Sequence, residues 1–363
     1  MNYDIRIEKT QNSKLNKVDF NNIPFGKIYS DHMFLAEYDD GEWHDLKIVP
    51  FQDLLLSPAS SVLHYGQAIF EGLKAFINSD GEAQLFRPKM NAARLNRSAV
   101  RMAMPEVPED LFIQAMEMLI KLEYNWIPKQ DGSSLYIRPF MVANEPYIGV
   151  KPANSFRFVI ITAPVGLYYS HPVKVMVAEK YVRAVAGGVG AAKTAGNYGR
   201  SLKPVLEAKA LGYDQILWTR PPEFKIAQEI GTMNVFFVID RTVITPQLDG
   251  TILEGVTRDT CITLLKDRGY RVEERDISFD EIAEAYDQGK LEDAFGTGTA
   301  AAISFISDIN YRGKHMNLPD EKDRDISQLL KQLLRDIKRS RIEDTHQWNY
   351  KVLIEETTKD LVS

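Results

Sequence analysis

Cysteine is almost missing from this chain: one residue, Cys261, in 363. It can close no intrachain disulfide, which suits a reducing compartment, and its apolar neighbours between Thr260 and Leu265 mark it as a small buried hydrophobe. Long hydrophobic runs are missing as well. No stretch reaches the ~18 apolar residues of a membrane helix, and Met1 to Phe20 mixes acidic, basic and amide side chains without a signal peptide's apolar core. These absences point to the cytoplasm and away from a membrane partner. Positive charge is not in excess either. Lys and Arg total 44 against 50 Asp and Glu, a formal net charge of −6, and no dense basic block breaks that balance, so nucleic acid is not an expected partner. No repeat of solenoid length and no low-complexity tract interrupts the chain, and no metal is expected.

What is present is ordinary globular composition, 44% hydrophobic and 26% charged, which is enough for a real core. A chain this long exceeds what one core organises, so two domains with a cleft between them are expected. Leu85-Phe86-Arg87-Pro88 reads as a strand end. Residues 89–103 have helical periodicity, with Leu95, Ala99 and Met102 on one face, and Pro108 opens a second helix over 109–124, striped by Leu111, Ala115, Met118, Leu119 and Leu122. Strands are expected at 134–142, 156–163, 173–178, 215–219 and 235–239, and helices at 201–211, 257–268 and 281–288. The last of these is opened by a capping-box pattern, Ser278-Phe279-Asp280-Glu281. Turn-formers and aromatics between Pro164 and Pro172 mark the boundary. The expected architecture is α+β or mixed α/β, with a smaller N-terminal α/β domain over 1–163, a linker over 164–172 and a larger C-terminal domain over 173–363.

The least ordinary segment runs from Gly187 to Gly199 (GGVGAAKTAGNYG). Such glycine density lets backbone approach a ligand closely and sets one lysine, Lys193, among residues with little side-chain bulk. Two chemistries compete for it. Gly187 to Thr194 nearly matches the phosphate-cradling pattern of P-loop nucleotide-binding proteins, with Phe236 to Asp240 as the accompanying strand. The match fails at Ala192, where the loop needs glycine, and Thr194 to Asn197 is a poor start for the required helix. The alternative is a Schiff-base lysine, whose amine reacts with an aldehyde as the neutral base once a tight, desolvated pocket lowers its pKa. A solvated surface lysine would leave the glycines unexplained.

Further segments join this one. Lys193-Thr194-Ala195-Gly196-Asn197-Tyr198-Gly199, followed by Gln228-Glu229-Ile230-Gly231-Thr232-Met233-Asn234, resembles the class IV (fold-type IV) aminotransferases, specifically the branched-chain amino acid aminotransferases. The same resemblance is carried by Leu63-His64-Tyr65-Gly66 to Phe70-Glu71-Gly72-Leu73-Lys74-Ala75-Phe76, by Phe86-Arg87-Pro88 to Asn91 with Arg94, by Tyr136-Ile137-Arg138-Pro139, and by Gly296-Thr297-Gly298-Thr299-Ala300. It extends from about Phe25 to the C-terminal region.

This resemblance implies a two-domain enzyme that binds pyridoxal 5'-phosphate (PLP) in its interdomain cleft, the C-terminal domain holding the cofactor. It also implies a ping-pong transfer of the amino group of Leu, Ile or Val to 2-oxoglutarate. Lys193 would carry the cofactor and shuttle the proton, Glu229 would face the pyridine nitrogen, and Tyr198 the phenolic oxygen. Arg94, the Val256 and Thr257 amides at a helix start, and Thr299 would take the phosphate, with Thr232 also near the cofactor. Tyr65 with the Thr299 and Ala300 amides would meet the substrate α-carboxylate. Phe25, Phe70, Tyr136 and Tyr168 would form the apolar wall, and Arg138 would receive the glutamate carboxylate, directly or through tyrosine hydroxyls. Ile148 and Val150 match a loop that crosses into a neighbouring subunit, so a homodimer is implied. Mammalian members carry a redox-active cysteine pair where this chain has Ala301 and Ser304, so that thiol control is absent. D-amino acid aminotransferase and aminodeoxychorismate lyase share the lysine and glutamate, but the Tyr136 to Pro139 and Glu229 to Met233 segments are branched-chain in type.

Overall fold

A computed structural model describes residues 2–166 and 171–353 of the chain. The chain forms two compact units. One comprises Met1–Tyr168, Lys193–Ala195 and Arg335–Ser363, and the other Tyr169–Ala192 and Gly196–Leu334. The sequence reading gave everything from residue 173 onward to a single domain. Backbone pairing explains the difference at the C-terminus, because strand Asn349–Val352 runs antiparallel to Ala83–Phe86 and returns the chain to the first unit.

The first unit is built on a nine-stranded sheet. Its long central strands, Ser134–Ala143 and Phe156–Val165, pair antiparallel over their whole length. Period-2 alternation decides which side chains go where: Leu135, Ile137 and Met141 are fully buried, whereas Tyr136, Arg138 and Phe140 on the opposite face are half-buried. The buried face is covered by helices Pro88–Arg101 and Glu109–Leu122. Their Leu95, Ala99, Leu111, Ala115 and Leu119 share one core with Phe34, Leu73, Leu135 and Phe158. The predicted stripes hold there, but Met102, Met118 and Leu122 lie at the edge of that core, only partly buried. The opposite face is left to the polar and aromatic side chains that matter below.

The second unit has its own nine-stranded sheet. Strands Ile226–Ile230, Gln215–Arg220, Val173–Val177, Ala302–Tyr311, Leu291–Gly298 and Met233–Ile239 are paired in that order. Pairing of Met233–Ile239 back onto Ile226–Ile230 closes them into a ring. Helix Phe279–Asp287 begins as expected, with the Ser278 hydroxyl accepting from the Glu281 amide at 3.0 Å. The reciprocal half of the box does not form, because the Glu281 carboxylate is taken by Arg275 at 2.6 and 3.1 Å. Cys261 is fully buried in helix Val256–Lys266.

Candidate active site

In the first unit the site is assembled on one polar helix stripe. Asn91, Arg94 and Ser98 lie three and four residues apart on helix Pro88–Arg101, so they share a face, and all are buried. Arg94 donates from Nε and Nη2 to the two oxygens of Glu71 at 2.7 and 2.8 Å, and Asn91 Nδ2 adds a third bond at 2.8 Å. The Gly72 amide gives Glu71 a fourth donor at 3.1 Å. Burial pushes the Glu71 carboxyl up. The Arg94 charge and its forked hydrogen bonds, with help from the Lys193 charge and Asn91, outweigh burial and hold it below the usual carboxylate range. Glu71 stands inside a motif quoted above, but its role as partner of Arg94 was not foreseen.

Ser98 extends the stripe to the lysine. Its hydroxyl donates to the Arg94 carbonyl at 3.0 Å and accepts from the Lys193 amide at 2.9 Å. On its other side the Lys193 carbonyl accepts from the Phe70 amide at 3.0 Å, and the Thr194 hydroxyl donates to the Ala68 carbonyl at 2.8 Å. The lysine backbone is thus stitched between helix and strand, and Lys193 Nζ lies 4.9 Å from the centre of the Phe70 ring. This geometry weighs against the P-loop, in which the Thr194 hydroxyl would serve a metal ion. A helix does follow the lysine, contrary to the reading of Thr194 to Asn197, but it is one short turn, Ala195–Gly199.

The aromatic wall lies on the open sheet face. Phe25 meets Tyr136 edge-on, with ring centres 5.7 Å apart. The Arg138 guanidinium stands over the Phe70 ring at 4.5 Å and donates to the Tyr136 hydroxyl at 2.8 Å. Its buried Nε has no hydrogen-bond partner among the described residues. Gly72 is required beneath Tyr136, because a Cβ there would come 2.3 Å from the phenol oxygen. Lys74 pairs directly with Tyr136 across the two strands. Burial lowers its amine to about 7, with the Lys338 charge adding to the effect. Tyr65, at the end of helix Ser61–Tyr65, is exposed, as are Ile148 and Val150. Tyr168 lies outside the described residues.

In the second unit the centre is Glu229, 2% exposed. Its Oε2 pairs with Arg183 Nε at 2.6 Å, and its Oε1 accepts from the Leu253 amide at 2.8 Å and from Asn234 Nδ2 at 3.2 Å. Asn234 is the cross-strand neighbour of Glu229, and Thr297 that of Asn234. Neither Arg183 nor Asn234 was assigned a role from sequence. Asn234 lay in the quoted run after Glu229, whereas Arg183 sits in a loop that carries no motif. Tyr198 is half-buried and Thr232 exposed, the latter in the two-residue turn between strands Ile226–Ile230 and Met233–Ile239.

Helix Val256–Lys266 opens with no side-chain cap on an extended Gly255 (φ −72°, ψ 126°), and Val256 and Thr257 are buried at its start. Its first amides and dipole are suited to an anion. Gly255 admits no side chain, since a Cβ would lie 2.0 Å from Asn234 Oδ1. Thr299 and Ala300 occupy the three-residue turn between strands Leu291–Gly298 and Ala302–Tyr311, and Ala302, the first residue of the returning strand, is left-handed (φ 56°).

The first unit thus holds a stitched lysine beside a buried Arg–Glu pair, and the second, described by itself, holds a buried carboxylate and an uncapped helix start. The family described as amino-transferase class IV matches residues 68–309. A Bacillus subtilis relative, branched-chain-amino-acid transaminase 1, is 46% identical over 97% of this chain and 100% of its own. Among solved structures, the Escherichia coli branched-chain amino acid aminotransferase superposes with a TM-score of 0.75 at 26% identity, covering 89% of this chain and 99% of that one. The branched-chain amino acid aminotransferase from Thermobaculum terrenum, solved in its PLP-bound holo-form, gives 0.71 at 25%, covering 88% and 98%. The chain belongs to the class IV aminotransferases and, within them, to the branched-chain amino acid aminotransferases. Its mixed helices and strands are those of fold-type IV.

Proposed function

We propose that this chain reversibly transfers the amino group of Leu, Ile or Val to 2-oxoglutarate, in two half-reactions, on PLP linked to Lys193. The observation that carries the reading is the stitching of the Lys193 backbone between Ser98 and Phe70, which fixes where its amine emerges. The residues present are of the kinds the cofactor needs: a buried arginine and, in the other unit, an uncapped helix start suit a phosphate, and a buried carboxylate suits a ring nitrogen. When bound, the cofactor supplies an electron sink for the bond broken at the substrate Cα.

The chain's own residues do the rest. Lys193 Nζ takes the proton from Cα and returns it at the next stage, as anchor and general acid/base in one. Glu229 favours a protonated ring nitrogen, and Tyr198 hydrogen-bonds the phenolic oxygen. Arg94, Val256, Thr257 and Thr299 hold the phosphate, and Thr232 contacts the cofactor. Tyr65 with the Thr299 and Ala300 amides orients the substrate α-carboxylate. Phe25, Phe70, Tyr136 and Tyr168 receive an aliphatic side chain, while Arg138, steadied by Tyr136, receives the distal carboxylate of glutamate. Ile148 and Val150 are exposed apolar residues that suit insertion beside a second copy's site, in a homodimer. Among the described residues no helix is long and apolar enough to cross a membrane, and the single buried cysteine suits a cytoplasmic enzyme.

The test is Lys193→Ala. It should remove the borohydride-trappable link to the cofactor and nearly all transamination, and a variant retaining near-normal turnover would overturn the proposal.

A further inference from the structure

Arg183 has three partners, and they belong to three different segments. Its Nε meets Glu229 Oε2 at 2.6 Å, its Nη1 donates to the Thr251 carbonyl at 2.6 Å, and its Nη2 donates to the Gly190 carbonyl at 3.2 Å. The side chain is 8% exposed and that of Glu229 3%. Every edge of the guanidinium fork is therefore used, away from water. The region around it is tight. A Cβ on Gly190 would come 2.4 Å from the Thr251 carbonyl oxygen and 2.6 Å from Ala184 Cβ, so the glycine run is pressed against the same loop that Arg183 grips. Gln228 and Asp249 tie that loop further, through the Thr251 hydroxyl at 2.8 and 2.6 Å.

We propose that Arg183 is a positioning residue that fixes both the charge and the aim of Glu229, and that the same guanidinium locks Gly190 and Thr251 into place. The inference rests on the reading that Glu229 faces the cofactor's ring nitrogen. A buried carboxylate without a counter-charge tends to take up a proton, whereas a guanidinium at salt-bridge distance favours its anion. A carboxylate kept anionic leaves the shared proton on the ring nitrogen instead of removing it. The Leu253 amide and Asn234 Nδ2 on Oε1 are neutral donors that aim the group but bring no charge. Lysine cannot replace the arginine fully, because a point charge lacks the planar fork that reaches all three partners.

The experiment uses holoenzyme loaded with ring-15N-labelled PLP and reads the nitrogen shift by NMR against pH, in wild type, Arg183→Gln, Arg183→Lys and Glu229→Gln. Arg183→Gln should move the nitrogen to the unprotonated value at neutral pH, as should Glu229→Gln. Arg183→Lys should keep the proton at neutral pH but release it at least one pH unit below wild type. Should Arg183→Gln fail to fold, the Arg183→Lys titration decides, since a residue that only packs would leave it unchanged. If Glu229→Gln shifts the nitrogen and neither Arg183 variant does, the role of Arg183 is overturned while the site reading stands. If Glu229→Gln leaves it unmoved as well, the placement of Glu229 itself is wrong.

Discussion

Replacing Glu71 with glutamine tests the Arg94 anchor most directly. The carboxylate is fully buried, the Arg94 side chain 5% exposed, and no water can replace what is lost. Glutamine keeps one acceptor oxygen but turns an amide NH2, a donor, toward groups that are all donors: Arg94, Asn91 and the Gly72 amide. Removing one partner of a buried ion pair costs about 3–5 kcal/mol. At roughly 2–4 °C per kcal/mol for a unit of about 200 residues, the melting temperature of the cofactor-free protein should fall by roughly 6–20 °C. On the proposed placement of the cofactor's phosphate at Arg94, the holoenzyme should lose less, because the phosphate would be a second counter-charge for Arg94. Calorimetry of both forms measures the two losses. A fall of less than about 2 °C in the cofactor-free protein would refute the buried-charge reasoning. Equal losses in the two forms would refute the placement of phosphate at Arg94.

Arg138→Met should damage the glutamate and 2-oxoglutarate half-reaction by roughly 2–5 kcal/mol while sparing the leucine half-reaction, followed separately by stopped-flow absorbance. Equal losses would make Arg138 a support for Tyr136 alone. Lys74→Met should change the pH dependence of stability. The folded amine titrates at about 7, below the ordinary 10.5 of the unfolded chain, so the cost of burying its charge is full below about pH 7 and fades as pH rises toward 10.5. Wild type should therefore gain on the variant across that window by up to about 1.4 kcal/mol per pH unit, and parallel denaturation curves would contradict the burial of this amine.

Much of this was legible in the sequence where the signal is local. The stripe Leu111, Ala115, Leu119 and the Ser278 cap follow from periodicity and capping chemistry, and both stand in the structure. The glycine-rich segment pointed to Lys193 because small residues around one lysine need a ligand-scale explanation. What escaped were partners far apart in the chain. Glu71 and Arg94 are separated by 23 residues and joined only because a strand end meets a helix face. Arg183 and Glu229 belong together only after a loop returns to strand Ile226–Ile230. The assignment of residues beyond Arg335 failed for the same reason, since only sheet pairing shows that Asn349–Val352 belongs beside Ala83–Phe86.

That last pairing governs the order in which the protein can be made. The first unit draws on segments from both sides of the second, among them Ala83–Phe86 before it and Asn349–Val352 after it. On a ribosome the ring of strands ending with Ala302–Tyr311 has all its members before the first sheet receives its final edge at Asn349–Val352. Arg339, whose guanidinium donates to the Ile77, Gln130 and Ser133 carbonyls, also arrives late, so those acceptors wait on it during synthesis. The second unit is therefore free to mature first, and the N-terminal half must persist with an open sheet edge until Asn349–Val352 has been synthesised. Chains truncated before Asn349 and held on the ribosome by an unstructured linker long enough to clear the exit tunnel should accordingly be protected from protease beyond residue 196 and cut in the first unit. Extending the chain through Asn349–Val352 should close that vulnerability in a single step.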